Sequence, residues 1–178
     1  MALTQFATQG YHQASMDDIA EAAGVTKPVL YQHFGSKRAL YLELLEDVGS
    51  ALLEAIAKAT AEAASPHQQV EAGFAAYFGF VDEHRHAFRL LFSEDARRDA
   101  VLAEAVVRVE RAIAEAVANL IEADLDDDHR RILAYGIVGL AEGTCRHWLA
   151  HDLDLEPGAT ARWLADLAWA GLRGVRRI

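Results

Sequence analysis

His147 and His151 stand four residues apart, the spacing that puts two imidazoles on one face of a helix, and His84 and His86 lie close together in sequence. Such pairs are the raw material of a metal site. Zinc, however, needs three or four convergent ligands, and the chain has one cysteine and no HExxH run. That cysteine, Cys145, is followed by Arg146 and His147. Neighbouring cations can activate a thiol, but consecutive helical residues point about 100° apart, and the run around Cys145 is apolar. There is no phosphate-binding loop and no dinucleotide fingerprint. No catalytic residue, no metal and no cofactor is expected, which directs attention from bond-making to binding.

The residues best placed for binding lie near the start. Between Gly24 and Leu42 the chain carries Lys27, Lys37 and Arg38 and no acid, a local excess of +3. The chain as a whole holds 17 basic and 27 acidic residues, a formal net charge of −10. It is therefore no general polyanion binder, and any contact with nucleic acid has to be made by this local patch against the overall field.

The elements that must present the patch are readable from helix punctuation. Leu3, Phe6 and Ala7 form a short apolar face that stops at Gly10. Ser15 with Asp18 three residues later has capping-box spacing, and Gly24 ends that second helix. Thr26 can cap a third helix, with Pro28 in its first turn and Gly35 at its close. Ser36 caps a long fourth helix through Leu40, Leu44, Leu45, Val48, Leu52 and Ile56 to about Ala64. Ser65, Pro66 and Gln68 start a fifth, through Val81, and Phe88–Phe92 mark a short sixth. Leu102–Leu120 form a seventh, Asp126 opens an eighth running to about His151, and Pro157 opens a ninth. No segment alternates as a strand would. The expected fold is all-α with about nine helices. A helix-turn-helix DNA-binding domain over residues 1–46 precedes a helical ligand-binding and dimerisation domain over 47–178, with the boundary inside the fourth helix near Asp47.

Helices two and three, joined through Ala23-Gly24-Val25-Thr26, have the helix-turn-helix layout. The runs Phe6-Ala7-Thr8-Gln9-Gly10-Tyr11, Ser15-Met16-Asp17-Asp18-Ile19-Ala20, Ala23-Gly24-Val25-Thr26-Lys27 and Leu30-Tyr31-Gln32-His33-Phe34-Gly35-Ser36-Lys37 together resemble the N-terminal signature of the TetR (tetracycline-repressor) family of transcriptional regulators. The resemblance covers roughly the first quarter of the chain. It implies DNA contacts from Ser15, Thr26, Lys27, Pro28, Val29, Tyr31, Gln32, His33 and Lys37. Of these, Thr26 to Val29 would face the major groove, Tyr31 to His33 bases or phosphates, and Lys37 a phosphate. His33 reads equally well as a base or a phosphate contact. Ile19, Val25, Leu30 and Phe34 look like the small core between the two helices. Family members usually carry extra, often basic, residues before and within helix one, whereas Met1 here stands two residues before Leu3. Either the natural start is late or an N-terminal arm is missing.

The resemblance also implies an effector pocket in the helical body. Phe74, Tyr77, Phe78, Phe88, Phe92, Val109, Ile113, Tyr135 and Val138 could line it, with Glu142 as a polar contact, or they could be ordinary core. Glu142 and Arg146 could equally be a surface pair. Gly136, Gly139 and Gly143 allow close helix approach. With Trp163, Leu164, Leu167, Ala168, Gly171 and Leu172 they suggest that helices eight and nine pair across a two-fold axis, unless these faces pack within one subunit.

The longest apolar run, Ile132–Ala141, is shorter than the ~20 residues of a membrane span, and the first ten residues lack the layout of a signal peptide. A cytoplasmic protein is expected, with double-stranded DNA, a small hydrophobic or aromatic effector and a second copy of itself as partners and no membrane. The expected function is a ligand-responsive repressor of a palindromic operator. The alternative is a helical ligand-binding or interaction protein whose helix-turn-helix no longer binds DNA.

Overall fold

The computed structural model describes residues 1–91, 98–122 and 124–172. Among them are nine α-helices and no strand. They are α1 Ala2–Gln9, α2 Met16–Ala23, α3 Lys27–Phe34, α4 Lys37–Ala61, α5 Pro66–Glu83, α6 Arg85–Leu91, α7 Ala100–Leu120, α8 Asp127–Ala150 and α9 Pro157–Leu172. No helix among the described residues is long and apolar enough to cross a membrane.

Two compact units form, and they are not contiguous in sequence. One comprises Met1–Ser50 with His84–Val109, the other Ala51–Glu83 with the chain from Glu110 onward. The division of α4 falls at Ser50, near the expected Asp47, but α6 and the first half of α7 join the N-terminal unit rather than the body. Surface-to-volume scaling gives the reason: some 46 residues cannot bury enough apolar area alone. Here α1 packs on α6, and the Tyr41 hydroxyl donates to the Leu90 carbonyl at 3.0 Å. Phe88, Leu90 and Leu102 are buried with Phe6, Met16, Ile19, Leu40 and Leu45.

In the first unit, local chemistry sets the helix ends. The Asp18 N–H donates to Ser15 Oγ at 3.1 Å, and the Ser15 N–H donates back to the Asp18 carboxylate, the reciprocal box that starts α2. Gly24, at φ 68°, turns the chain through the left-handed region and sends its N–H to the Ala20 and Glu21 carbonyls. Val25, expected in the core, is 40% exposed. It sits in the turn after Gly24, where the backbone aims it outward, and apolar type alone does not decide burial in a turn. Phe34 is half-buried.

The second unit is built on α5 packed against α9, with α8 touching both. Its starts were local too. The Gln68 amide oxygen accepts the Ala64 N–H at 2.9 Å, while the Gln68 N–H donates to Ser65 Oγ. Asp126 receives the His129 N–H at 2.9 Å, and the Trp148 indole donates to the Leu153 carbonyl, tying down the turn after α8. Phe74, Tyr77, Phe78, Val81, Ile113, Cys145 and Trp148 form the buried centre.

Within the first unit, α4 and α7 approach closely at Gly49. A Cβ there would lie 2.5 Å from a Val109 methyl. Val109 is thereby committed to this contact and not to an effector pocket. Overpacking of this kind costs about 1–3 kcal/mol, against a helix-propensity gain of up to ~1 kcal/mol for Gly to Ala. Gly49→Ala is therefore expected to lower Tm by about 2–4 °C for each net kcal/mol lost, with Val109→Ala restoring part of the loss in the double variant. A Tm raised by Gly49→Ala would show that the approach is looser than described.

Candidate nucleic-acid interface and effector cavity

Of the eight residues in α3, only Leu30 is buried. Thr26, Lys27, Pro28, Val29, Tyr31, Gln32 and His33 are all exposed. A helix held by one side chain and two glycine turns presents nearly its whole circumference, as an element that enters a groove must. Val29 and Tyr31 are about 40% exposed, apolar surface of the kind that meets thymine methyls. The Thr26 hydroxyl makes no cap to α3.

The basic patch is smaller than the sequence count. Lys27 Nζ lies 2.7 Å from Asp17, whose hydrogen bond and charge raise the lysine pKa. Arg38 pairs with Asp99. Lys37 donates to the carbonyls of His12 at 3.2 Å and Ala14 at 3.0 Å, and its ammonium sits 4.7 Å over the Tyr11 ring. Counting Asp17 and Asp99 against the three cations leaves 3 − 2 = +1. Lys37 thus ties the α1–α2 turn to the start of α4. The Ser15 hydroxyl, accepting from Asp18 N–H, donates to Asp18 Oδ2 at 2.7 Å. Its place is that of a helix cap rather than a free donor toward DNA. Tyr11 stacks on Phe6 and meets Tyr41 edge-on at 5.0 Å. This aromatic wedge under the helix-turn-helix was not singled out from sequence, although its spacing in α1 and α4 is apolar.

The second unit encloses a cavity of about 320 Å³, at the lower end of the ~300–1,000 Å³ typical of ligand sites. Phe74, Tyr77, Ile113 and Val138 line it. Phe78 does not: it is fully buried, with its ring 6.0 Å from that of Trp148. Phe88 and Val109 belong to the first unit. Tyr135 is 47% exposed on the outer face of α8, and Phe92 lies outside the described residues. Glu142 stands behind the wall rather than on it, 3.5 Å from Arg146. The wall gains Gln69, Val70, Val117, Leu133, Ile137 and Trp169, among others. Leu172, expected at the dimer interface, lines the cavity as well.

Behind Tyr77, Glu110 has its pKa raised by burial and then by Glu142, while Arg146 opposes the shift. Burial raises the Tyr77 phenol further. Cys145 is fully buried, and burial, with Glu142, pushes its thiol up to about 12. Arg146 does not offset this, so the thiol stays protonated and unreactive. The His147 and His151 rings lie 4.3 Å apart, and among the described residues no group of three His, Cys, Asp or Glu is placed to hold a metal.

On the outer face of α8 and α9, Ile132, Trp163 and Leu167 are 69%, 67% and 59% exposed. Gly136 and Gly139 are exposed, Gly143 is half-buried, and a Cβ on any of the three, or on Gly171, would meet nothing within 4 Å. Leu164 and Ala168 are half-buried beside them.

An exposed helix-turn-helix and an all-helical body with an apolar cavity define the class of the molecule: a helix-turn-helix regulator with a separate sensing unit. Residues 1–44 match the model of bacterial regulatory proteins of the tetR family, and residues 66–171 match the tetracyclin repressor-like C-terminal domain. The chain is 34% identical over 172 residues to the transcriptional activator FasR of Mycolicibacterium smegmatis, covering 96% of this chain and 78% of that protein. To the repressor KstR2 of the same organism it is 27% identical over 173 residues, 97% and 75% of the two chains. A TetR-like regulator from Rhodococcus sp. RHA1 superposes with a TM-score of 0.78 at 30% identity, covering 98% and 92%. Bacillus subtilis FadR, solved in complex with stearoyl-CoA, shares the fold with a TM-score of 0.80 at 17% identity, covering 98% and 96%. This chain belongs to the TetR family. The regulator class, the all-α fold and the helix-turn-helix expected from the N-terminal signature are those of that family, and its relatives are named as regulators, not enzymes.

Because Asp17 both pairs with Lys27 and adds negative charge to the α3 side, Asp17→Asn is expected to tighten duplex binding severalfold at ~0.1 M salt. The gain should shrink as salt rises, since it is a charge effect. Fluorescence anisotropy with a labelled duplex measures it, and unchanged or weaker binding by a folded variant would contradict it.

Proposed function

We propose that this chain is a cytoplasmic, homodimeric repressor that binds a palindromic operator through α3 and leaves it when an elongated apolar effector fills the cavity of the second unit. The observation that carries the reading is the pairing of a nearly naked α3 with an apolar cavity in the other unit of one chain. Thr26, Lys27, Pro28, Val29, Tyr31, Gln32 and His33 supply the groove contacts and Lys37 a phosphate contact. Occupying an operator that overlaps a promoter represses it. Of the relatives, FasR is named an activator and KstR2 a repressor.

Two copies meeting through the outer faces of α8 and α9 cover Ile132, Trp163 and Leu167, and the open space at Gly136, Gly139 and Gly143 admits a close helix. A dimer offers two α3 helices to successive major grooves about 34 Å apart. Coupling follows from covalent continuity. α4 begins at Lys37, immediately after the α3 turn, and the same helix gives Ile56 and Thr60 to the cavity wall. An effector that binds the DNA-incompetent arrangement more tightly shifts the population, and DNA must weaken effector binding by the same factor.

Leu167→Glu places a charge at the centre of the proposed interface. Light scattering should give about twice the 19.5 kDa chain mass for the unaltered protein and the single-chain mass for the variant. Affinity for a palindromic duplex from the protein's own upstream region should fall by about a hundredfold or more, since one half-site replaces two. A dimeric variant would place the interface elsewhere. Equal affinity of the unaltered protein for operator and random duplex would favour a ligand-binding protein without DNA readout.

A further inference from the structure

Resting on the reading of α3 as the helix that enters the major groove, we infer that Gln32 is its base-reading residue and that the base is adenine, with Pro28 and Val29 against thymine methyls, so that the operator half-site has an A·T core. Leu30 fixes the direction of the helix. It is the one buried residue of α3, so its side chain marks the face turned to the protein. Successive helical residues are turned by about 100°. Pro28 and Gln32, two positions either side of Leu30, therefore point about 160° away from it. Both are exposed. Val29 and Tyr31 flank them, each about 100° from Leu30. Lys27 and His33, three positions either side, lie only about 60° from it. A helix laid with Pro28 and Gln32 toward the floor of the groove carries Lys27 and His33 at its two edges, beside the phosphates.

The chemistry of that face is selective. In the major groove guanine shows two acceptors, read by arginine or lysine. Cytosine shows a donor, read by a carboxylate, and adenine shows a donor beside an acceptor, read by a side-chain amide. α3 contains no arginine and no acid. Its one lysine, Lys27, stands off the face opposite Leu30, 2.7 Å from Asp17. Of the four residues turned to the groove, Pro28 and Val29 have no polar side-chain atom and Tyr31 has a single hydroxyl. Gln32 alone joins a donor and an acceptor in one planar group.

Among the described residues nothing in the protein holds the Gln32 amide by a hydrogen bond, so a base gains it without displacing a partner. Lys27, by contrast, has to leave Asp17. Pro28 stands one turn before Gln32 on the same line along the helix, and Val29 stands beside it. Their ring and methyl surface meets the C5-methyl groups of thymines next to the adenine, a contact that no G·C pair offers.

The full-length chain selects duplexes from a pool carrying a randomised palindrome, and the enriched half-site is then measured by fluorescence anisotropy at matched salt. One adenine in each half-site is expected to be required: any other base there weakens binding about tenfold or more, the scale of one bidentate contact. Gln32→Ala, a change at an exposed position, loses that preference and keeps the others. 7-Deazaadenine at the same position lacks only the N7 acceptor. It is expected to weaken the unaltered protein about threefold or more and Gln32→Ala not at all, the coupling that marks a direct contact. Base preferences that all survive Gln32→Ala, a preference lost at a G·C pair instead, or 7-deazaadenine that affects both proteins alike would each overturn the inference while leaving α3 a reader of DNA. Enrichment of no sequence by the unaltered protein would overturn the reading of α3 together with it.

Discussion

One constraint organises the N-terminal unit: α3 is anchored by a single buried side chain, Leu30, between turns made at Gly24 and Gly35. A helix held so sparingly gains little from its own packing, since one buried leucine contributes about 1.5–3 kcal/mol. The surrounding structure therefore has to hold its two ends. Ser15 and Asp18 secure the start of α2, Lys37 clamps the α1–α2 turn to α4, and Phe6, Tyr11 and Tyr41 fill the space beneath. The same sparing attachment leaves seven of the eight positions from Thr26 to His33, all but Leu30, exposed.

The electrostatics follow a similar logic. An acidic chain binds a polyanion only where its cations are locally concentrated, yet Lys27, Lys37 and Arg38 all have partners within the protein. On the proposed function, DNA binding is an exchange of partners, in which the duplex competes with Asp17 for Lys27. Pairs between exposed groups are weak, about 0–1 kcal/mol, so the exchange is feasible. On that proposal, affinity is a difference between two small terms, and discrimination falls to the apolar and polar tips of Val29, Tyr31 and Gln32. In the second unit the cavity wall is largely apolar, with the carboxylates of Glu110 and Glu142 near Tyr77.

Much of this was legible because it is local. Capping at Ser15, Ser65 and Asp126, proline starts at Pro66 and Pro157, and the glycine turns set the helix ends within a few residues, and the helix-turn-helix signature lies in contiguous sequence. What depended on tertiary packing was not. Tyr77 and Phe78 are adjacent and both buried, yet only Tyr77 lines the cavity. Tyr135 faces outward while Ile137, two residues on, lines the wall. Apolar type is shared by both members of each pair, and only the direction of neighbouring helices separates them. Recruitment of α6 and half of α7 to the N-terminal unit is a pairing of distant segments that periodicity cannot reveal. Gln69 carried a readable signal: it lies four and eight residues before Gly73 and Tyr77, a polar residue on the apolar face of α5.

The central claim is that the exposed face of α3 reads DNA sequence. The most direct measurement is the ratio of affinities for an upstream palindromic duplex and a random duplex, at matched salt, for the unaltered protein and for a variant with Val29→Ser, Gln32→Ala and His33→Ala. All three side chains are exposed, so Tm should stay within a few degrees while the ratio collapses toward one. A ratio that survives the triple change in a folded, dimeric protein would contradict the account.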